Sequence, residues 1–589
     1  MSFALVVAAS IAICGSALLA RNVSPSATFF NQAVALVGWG VLLAFAAAAT
    51  PPALRSPWRR VAPAVLALGL TAIGVVLASA LERLPAPLAW SALGLLAAAV
   101  LALVVADRSA QHESESLFKA VASALVIAGL VSVPLAIVQT FAPSFANGDW
   151  IAQAGAQGRA GGNLRQPNHL SSLLLWSLVA LVWLHDRHVE KSSAGAPPSQ
   201  HRVVSALAFA ALTSAIVLTA SRTGTVCILM LGLWGALDRQ LSPFTRRLLW
   251  AAPFVYALSW WGLSEWNHAS GQIFAGDTQL HKSDLSSSRF AIWSNAWTLL
   301  KANPWLGVGW GEFNFAWSLT PFPDRPGAFF DHTHNLPLNL LVELGIPLGM
   351  LVLALLTWSL WKAFVACRIT PKPHVTMVRA AFVMVLMMVV HSMLEYPLWY
   401  AYFLLPTAFA LGICLGHSTP ADEASSPETV ASPWPRRVLI GASVALVLGT
   451  GVAVWDYLRV AKIFSVDDDD TTSLSYRIEQ GQKSIFFAHH ADYAAATIAT
   501  HPSTAWKAFR RAPHLLLDTR LMMAWSKAYA EKGDIERARY IADRLREFRN
   551  PDSAEFFAEC DKPIAQGESK PYQCTPATQK FTYQDFKLR

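Results

Sequence analysis

The sequence predicts an all-α, polytopic helical membrane protein that ends in a soluble helical domain. Three observations carry this expectation. Hydrophobic residues make up 54% of the 589 and charged residues 14%, against roughly 25% charged in soluble domains. Apolar runs close to the ~20 residues needed to cross a bilayer recur from the N-terminus to residue 457. The runs are continuous rather than alternating, which excludes a transmembrane β-barrel.

Hydropathy places about thirteen spans, near 3–20, 30–49, 61–80, 86–106, 118–141, 169–184, 203–220, 223–238, 248–264, 335–360, 380–395, 397–415 and 438–457. The first lacks a basic n-region and reads as a retained span rather than a cleaved signal peptide. Lysine and arginine set the orientation. With a cytoplasmic N-terminus, RSPWRR, DRSAQHESESLFK, DRQLSPFTRR and the segment ending PWPRR fall inside, while the connections at 21–29, 81–85 and 396 are nearly free of basic residues. Loops 142–168 and 265–334 and the whole tail then face outward, which for a bacterial inner membrane is the periplasm. The expected domains are 1–458, membrane-embedded with both outer loops carrying the site, and 459–589, periplasmic and helical. The net charge of +8 becomes positive-inside bias and carries no nucleic-acid footprint.

Residues 1–141 read as scaffold. The first chemistry lies in GRAGGNLRQPNHLSSLLLW, where Arg159, Arg165, Gln166, Asn168 and His169 crowd the start of a span. Gly161 and Gly162 permit close backbone approach to a ligand, Pro167 fixes the helix direction, and arginine offers bidentate recognition of phosphate. The competing reading is an arginine snorkelling to the interface. In TASRTGTV, Arg222 is the lone arginine of an apolar hairpin. A helix-capping serine with a snorkelling arginine is the alternative there. In loop 265–334, Arg289 opens an amphipathic segment with Ile292, Trp293, Ala296, Trp297 and Leu300 on one side, suited to the interfacial plane. GVGWG reads as a turn and lacks the context of a phosphate loop.

The chain is organised around FFDHTHNLPLNLLVELG at 329–345, where His332 and His334 stand beside Asn335 as a polar loop becomes an apolar helix. Ionisable groups at the edge of a lipid-embedded segment are functional candidates, and imidazole titrates where a general base must. A loop histidine that merely caps the helix is the alternative. In HSMLEYPLWY, His391 and Glu395 have i, i+4 spacing and share a helix face. A carboxylate there can orient a histidine, bind a sugar hydroxyl or pair with an arginine, and the sequence leaves all three open. Residues 416–435 read as a flexible linker. DDDDTT at 467–472 lacks the spacing of a calcium loop, and no metal or cofactor is expected. Residues 524–545 have the rhythm of a tetratricopeptide helix pair, whose stacked units make peptide- or protein-binding surfaces. Cys14, Cys227, Cys367 and Cys414 lie in or beside spans. Cys560 and Cys574 lie in the tail, in an oxidising compartment under this topology, and are expected to form a disulfide.

Under this topology the charged candidates map to one membrane face. A cationic pocket with a histidine base suits a lipid-linked anion such as an isoprenyl pyrophosphate, whose developing charge on departure arginines stabilise. DHTHNLPLNLLVELGIPLG, RAGGNLRQPNHL, SRTG, SSRFAIW…NPWLGVGWGEF and HSMLEYPLWYAYFLLP together resemble the O-antigen ligase/polymerase superfamily. Within it they look most like the bacterial protein O-oligosaccharyltransferases of the pilin-glycosylation ligase type, over roughly residues 150–415. The family's histidine motif, H-[N/S/Q], nine residues, then G-x-x-[G/T/Y], falls on His334, Asn335 and Gly345. Leu348 replaces its last residue, with Gly349 one place late, which blurs the distinction between ligase and polymerase.

The resemblance implies a GT-C-like membrane fold and transfer of a preassembled glycan from undecaprenyl pyrophosphate to Ser or Thr hydroxyls of a periplasmic protein such as a pilin. On it, His334 takes the acceptor proton, and Arg289, with Arg222 and Arg165, holds the pyrophosphate. Arg159, Gln166, Asn168, His332, Asn335, His391 and Glu395 are the further substrate contacts. A single displacement inverts the anomeric centre, and no nucleophilic carboxylate for a two-step route is evident. The expected partners are the lipid-linked donor, the acceptor protein and membrane lipid, with no nucleic acid. One alternative is the same chemistry on lipid A–core or on a growing glycan. The other is a transporter or flippase, which would place charge deep in broken helices and show internal repeats.

Overall fold

The computed structural model describes residues 3–588 except 52–57, 83, 111, 156–157, 192–198, 271–275, 277–283, 324, 420–434, 466–470 and 564–568. The acidic run 467–470 and most of the linker 416–435 therefore lie outside the described residues. Among the described residues there is one isolated bridge, Val23 with Ser26, and otherwise helix and turn. This is the expected all-α polytopic class, since a helix satisfies its own backbone groups where no water is present to do so.

The apolar runs become α1 (Phe3–Leu18), α2 (Phe29–Ala49), α3 (Ala62–Leu77), α4 (Ala86–Ser109), α5 (Ser114–Phe141), α6 (Pro167–Lys191), α7 (Ser199–Leu218), α8 (Arg222–Leu237) and α9 (Pro243–Ser270). After the helices α10 (Asp284–Ala302) and α11 (Phe313–Leu319) come α12 (Leu336–Ile369), α13 (Val375–Ser392), α14 (Ala401–Gly416) and α15 (Arg436–Phe464). Among the described residues nine of these are long and apolar enough to cross a membrane, and α1, α8 and α14 are shorter apolar helices. The chain is a multi-pass membrane protein.

The chain divides into two compact units. The first comprises Met1–Leu66, Ala97–Lys282 and Leu355–Gly451. Its helices approach through small residues, as lipid-embedded helices do. On α14, a β-carbon at Gly412 would lie 2.4 Å from the Leu103 carbonyl oxygen and one at Gly416 2.3 Å from the Ala110 β-carbon. Large apolar side chains such as Leu207, Leu229, Leu233 and Phe254 are exposed on the outer faces, where a bilayer would meet them.

The second unit comprises Ala67–Leu96, Ser283–Ala354 and Val452–Arg589. Its tail carries α16 (Leu474–Gln482), α17 (Ala488–Ile498), α18 (Thr519–Glu531) and α19 (Ile535–Phe548). Asp534 caps α19 through the Arg537 N–H, after a turn made at Gly533, φ +82°. The carboxylate of Asp456, on α15, accepts from Ser484 Oγ (2.7 Å) and from the N–H groups of Ile485 and Phe486 (2.9 Å each), which ties the tail to the last apolar helix. One apolar core joins α10, α11, the start of α12 and the tail, with Trp317 and Trp525 fully buried. Cys560 and Cys574 form a disulfide with Cα atoms 5.2 Å apart, within the usual range.

Candidate active site

In the second unit the histidine loop is held from both sides. His334 itself adopts the left-handed conformation, φ 54°, which is uncommon for a side-chain-bearing residue and persists only where the surroundings over-determine it. They do. The Thr333 N–H donates to Asn339 Oδ1 (3.0 Å), its hydroxyl donates to the Asn335 carbonyl (2.9 Å), and its own carbonyl accepts from Trp293 Nε1 (3.0 Å). Asn335 caps α12 by accepting the Leu338 N–H at 3.1 Å. The Phe330 and His334 rings meet edge to face at 5.4 Å. His332 lies with its Nδ1 3.2 Å from Asp331 Oδ1, and the buried carboxylate of Glu343 also acts on it. Burial disfavours a charged His332, but Asp331 and Glu343 outweigh it and raise its pKa. A histidine held toward its cationic form can act as an anion ligand.

The helix behind the loop is broken where the motif has its glycine. Gly345, φ 77° and ψ 169°, interrupts α12. The carbonyls of Val342 and Glu343 that the break releases accept from Val308 N–H (2.8 Å) and Gly309 N–H (3.1 Å), and Ile346 N–H donates to the Pro304 carbonyl (2.8 Å). NPWLGVGWG is thus a clamp on the break as well as a turn.

The tail supports the same loop. Glu312, fully buried, accepts from His514 Nδ1 at 2.8 Å, and Asn314 bridges the Phe330 carbonyl to the Leu517 N–H. Arg325 pairs with Glu547 at 2.9 Å and lies over the Phe548 ring, 4.4 Å from its centroid, and Phe548 stacks on Phe329 at 3.8 Å. Composition offered no signal for these partners, because each is an ordinary charged or aromatic residue far away in sequence.

On α10, Ile292, Ala296 and Leu300 are buried, as the periodicity required, but Trp297 is 54% exposed and does not share their face. Arg289 lies partly buried near the start of this helix.

In the first unit the glycine-rich loop is built inward. Gln139 Oε1 accepts from the N–H groups of Gly161 (3.1 Å) and Gly162 (2.8 Å), and Asn163 donates to the carbonyls of Leu18 (2.6 Å) and Trp150 (3.0 Å). A β-carbon at Gly161 would meet the Arg165 backbone at 2.8 Å. The close approach these glycines permit is here to protein, to the Arg165 backbone at Gly161 and to the Leu170 side chain, 3.0 Å away, at Gly162. Arg165, also left-handed at φ 60°, donates to the Ala27 carbonyl (3.0 Å), Asn31 Oδ1 (3.1 Å), the Asn163 carbonyl (3.3 Å) and the Ala20 carbonyl. In this structure it clasps the N-terminal segment rather than presenting a fork to phosphate. Gln166 accepts the His169 N–H at 2.7 Å, and Arg159 donates to the Thr219 carbonyl at 3.0 Å, bracing the turn before Arg222. Arg222 is exposed at the first position of α8, which Ser221 caps through the Gly224 N–H at 3.1 Å.

Glu395 accepts from Asn168 Nδ2 at 3.1 Å, joining two residues that the sequence singled out separately. His391, fully buried, meets Ser172 Oγ at 2.8 Å, and His169 meets the Tyr402 hydroxyl at 3.0 Å. The i, i+4 pair is thus split between partners on α6. Ser172 and Tyr402 escaped sequence reading, since a serine or tyrosine within an apolar run carries no outward sign of a polar cluster.

Fold and site together define a multi-pass helical membrane protein whose histidine-bearing loop is braced by a helical tail. The chain is similar to the O-antigen ligases and protein O-oligosaccharyltransferases. The O-Antigen ligase family model matches residues 207–353, which hold Arg222, Arg289, His332, His334, Asn335 and Gly345. The Virulence factor membrane-bound polymerase, C-terminal model matches 379–562, and the Protein glycosylation ligase model matches 160–185. Two curated relatives come from Acinetobacter baylyi. The ComP-specific O-oligosaccharyltransferase is 29% identical over 256 residues, 43% of this chain and 44% of that protein. The General O-oligosaccharyltransferase is 27% identical over 296 residues, 48% of each. The chain thus spans about half the length of the curated relatives it matches.

Proposed function

We propose that this chain is an oligosaccharyltransferase of a bacterial inner membrane. It transfers a preassembled glycan from undecaprenyl pyrophosphate to Ser or Thr hydroxyls of periplasmic proteins such as a pilin. The observation that carries this reading is His334, held in a left-handed conformation at the head of a membrane-spanning helix by bonds to both of its neighbours. His334 accepts the proton of the acceptor hydroxyl as that oxygen attacks the anomeric carbon. The bond from that carbon to the pyrophosphate oxygen breaks, the lipid pyrophosphate departs, and the anomeric centre inverts. Arg289 and Arg222 stabilise the charge on the leaving group, and His332, whose pKa Asp331 and Glu343 raise against burial, adds to that field when protonated. Asn168, His391 and Glu395 belong to the glycan-binding set. The names of the two relatives support a protein acceptor.

A second reading, extension of a glycan chain, draws support from the polymerase match over 379–562. Co-expression with one lipid-linked oligosaccharide pathway and a pilin, followed by intact-mass spectrometry, tests the choice. A pilin heavier by one glycan is expected. A bare pilin beside lengthened glycans or a modified lipid A–core selects another acceptor. A bare pilin with no transfer anywhere overturns the enzyme reading in favour of a lipid-linked sugar transporter.

A further inference from the structure

The second unit has a groove of about 530 Å³ beside the histidine loop, within the size range of pockets that hold a ligand. Its apolar wall is Phe329, Tyr493 and Met523, and its rim carries Asp518, Arg520 and Asp552. We propose that this groove holds an extended segment of the acceptor polypeptide next to the hydroxyl that is glycosylated, with a preference for basic side chains. The inference rests on the protein-acceptor reading above and adds where that acceptor docks.

Three observations converge. The first is continuity with the loop. Phe329 lies three residues before His332 and five before His334, and at ~3.6 Å per residue at most its Cα is within roughly 18 Å of that of His334. About five residues of extended polypeptide cover that span, so a segment seated on Phe329 can present a nearby serine or threonine to the loop.

The second is charge. Two carboxylates face one guanidinium on the rim, a balance that repels an anionic lipid pyrophosphate and favours a cationic peptide. Asp518 retains accepting capacity. Its Oδ1 takes the Leu521 N–H (2.9 Å) and its Oδ2 the Tyr493 hydroxyl (2.8 Å), whereas an ionised carboxylate offers about four lone-pair sites.

The third is architecture. The groove lies where α17, the start of α18 and the turn after α19 meet, and helical arrays commonly present their binding surfaces on such concave faces. Phe329 is itself fixed by its stack on Phe548, so one wall is preorganised.

The test uses the full chain in lipid nanodiscs and two labelled fifteen-residue peptides. Each has one central serine, flanked within five positions by three lysines or by three glutamates. Fluorescence anisotropy without donor measures docking alone. The lysine peptide is expected to bind more tightly. Asp552→Lys, at an exposed position, should weaken the lysine peptide by about fivefold, and Arg520→Glu should strengthen it by a similar factor. In transfer assays with undecaprenyl-pyrophosphate oligosaccharide, the acceptor KM should move in parallel while the donor KM stays put. Equal or absent binding of both peptides, or a shift in donor KM alone, overturns the groove assignment. Docking without transfer to any protein would keep the groove and sink the transferase reading, so the two failures are distinguishable.

Discussion

Gly345 packs against Trp305 so closely that a β-carbon placed on it would lie 2.3 Å from the Trp305 carbonyl oxygen. Its φ of +77° is also one that side-chain-bearing residues rarely adopt. The motif glycine is therefore required twice over, by conformation and by space. Gly345→Ala is expected to cost at least the ~1–3 kcal/mol of such backbone strain, plus the loosening of the 303–311 clamp. Thermal unfolding in detergent should show a lowered Tm, and transfer should fall with it. An unchanged Tm would mean that the clamp yields freely.

The ion pair of Arg325 with Glu547 should behave as a buried one. The Arg325 side chain is fully buried, and its guanidinium also donates to the carbonyls of Trp317, Ser318 and Thr320. Burial pulls its guanidinium down to about 10, with Glu547 opposing, so it stays charged near neutrality. Removing one partner of such a pair typically costs about 3–5 kcal/mol. Glu547→Gln should destabilise the second unit by an amount of this order and make the 317–330 segment susceptible to protease. Limited proteolysis with and without the substitution checks this.

The class and the helices were legible because lipid imposes a single code, length and apolarity, on every span. The histidine motif was legible because a polar cluster at a helix head has no packing reason to exist. The carbonyl partners of Arg165 were not legible, for a physical reason. Nothing in RAGGNLRQP distinguishes an arginine aimed at phosphate from one aimed at carbonyls, and its partners Ala20, Ala27 and Asn31 lie more than 130 residues away. Glu312 with His514 and Arg325 with Glu547 were invisible for the same reason. The use of Glu395 was open among three options in the sequence, and the structure pairs it with a fourth partner, Asn168.

His334→Ala should abolish glycan transfer while membrane insertion and donor binding persist. The side chain contacts Phe330 edge to face but is not part of the buried core, so its loss should leave the fold standing. In vivo glycosylation of the acceptor, read by mass shift, decides it. Near-normal transfer would move the base role to another group.

Arg289→Lys should also transfer poorly, because a point charge does not reproduce a planar fork on pyrophosphate. The expected signature is a fall in kcat at saturating donor by roughly tenfold to a hundredfold, the scale of one or two strong charge-assisted contacts. Full turnover by the lysine variant at saturating donor would reduce Arg289 to a source of general positive potential.

Burial alone would lower the His332 pKa, yet Asp331, 3.2 Å from its Nδ1, and Glu343 raise it above the ordinary 6.5. Burial alone would raise Asp331, yet His332 pulls it below the ordinary 3.8. The stability that His332 contributes is fully present below its unfolded pKa and is lost as pH rises through the raised folded value. The contribution of Asp331 is present above its unfolded pKa and lost as pH falls through the depressed one. The pair therefore holds between a lower edge beneath 3.8 and an upper edge above 6.5. Asp331→Asn removes the larger of the influences that raise His332, so the upper edge should move to lower pH. If the imidazolium of His332 helps hold the departing pyrophosphate, the donor KM of this variant should begin its rise at lower pH than in the parent, with acceptor KM unaffected. Titration of the His332 ring by NMR, set beside the donor KM profile, measures both halves of the claim. Coincident ring titrations in parent and variant would show that Asp331 does not set the protonation of His332. A shifted titration with an unmoved KM profile would remove His332 from pyrophosphate binding.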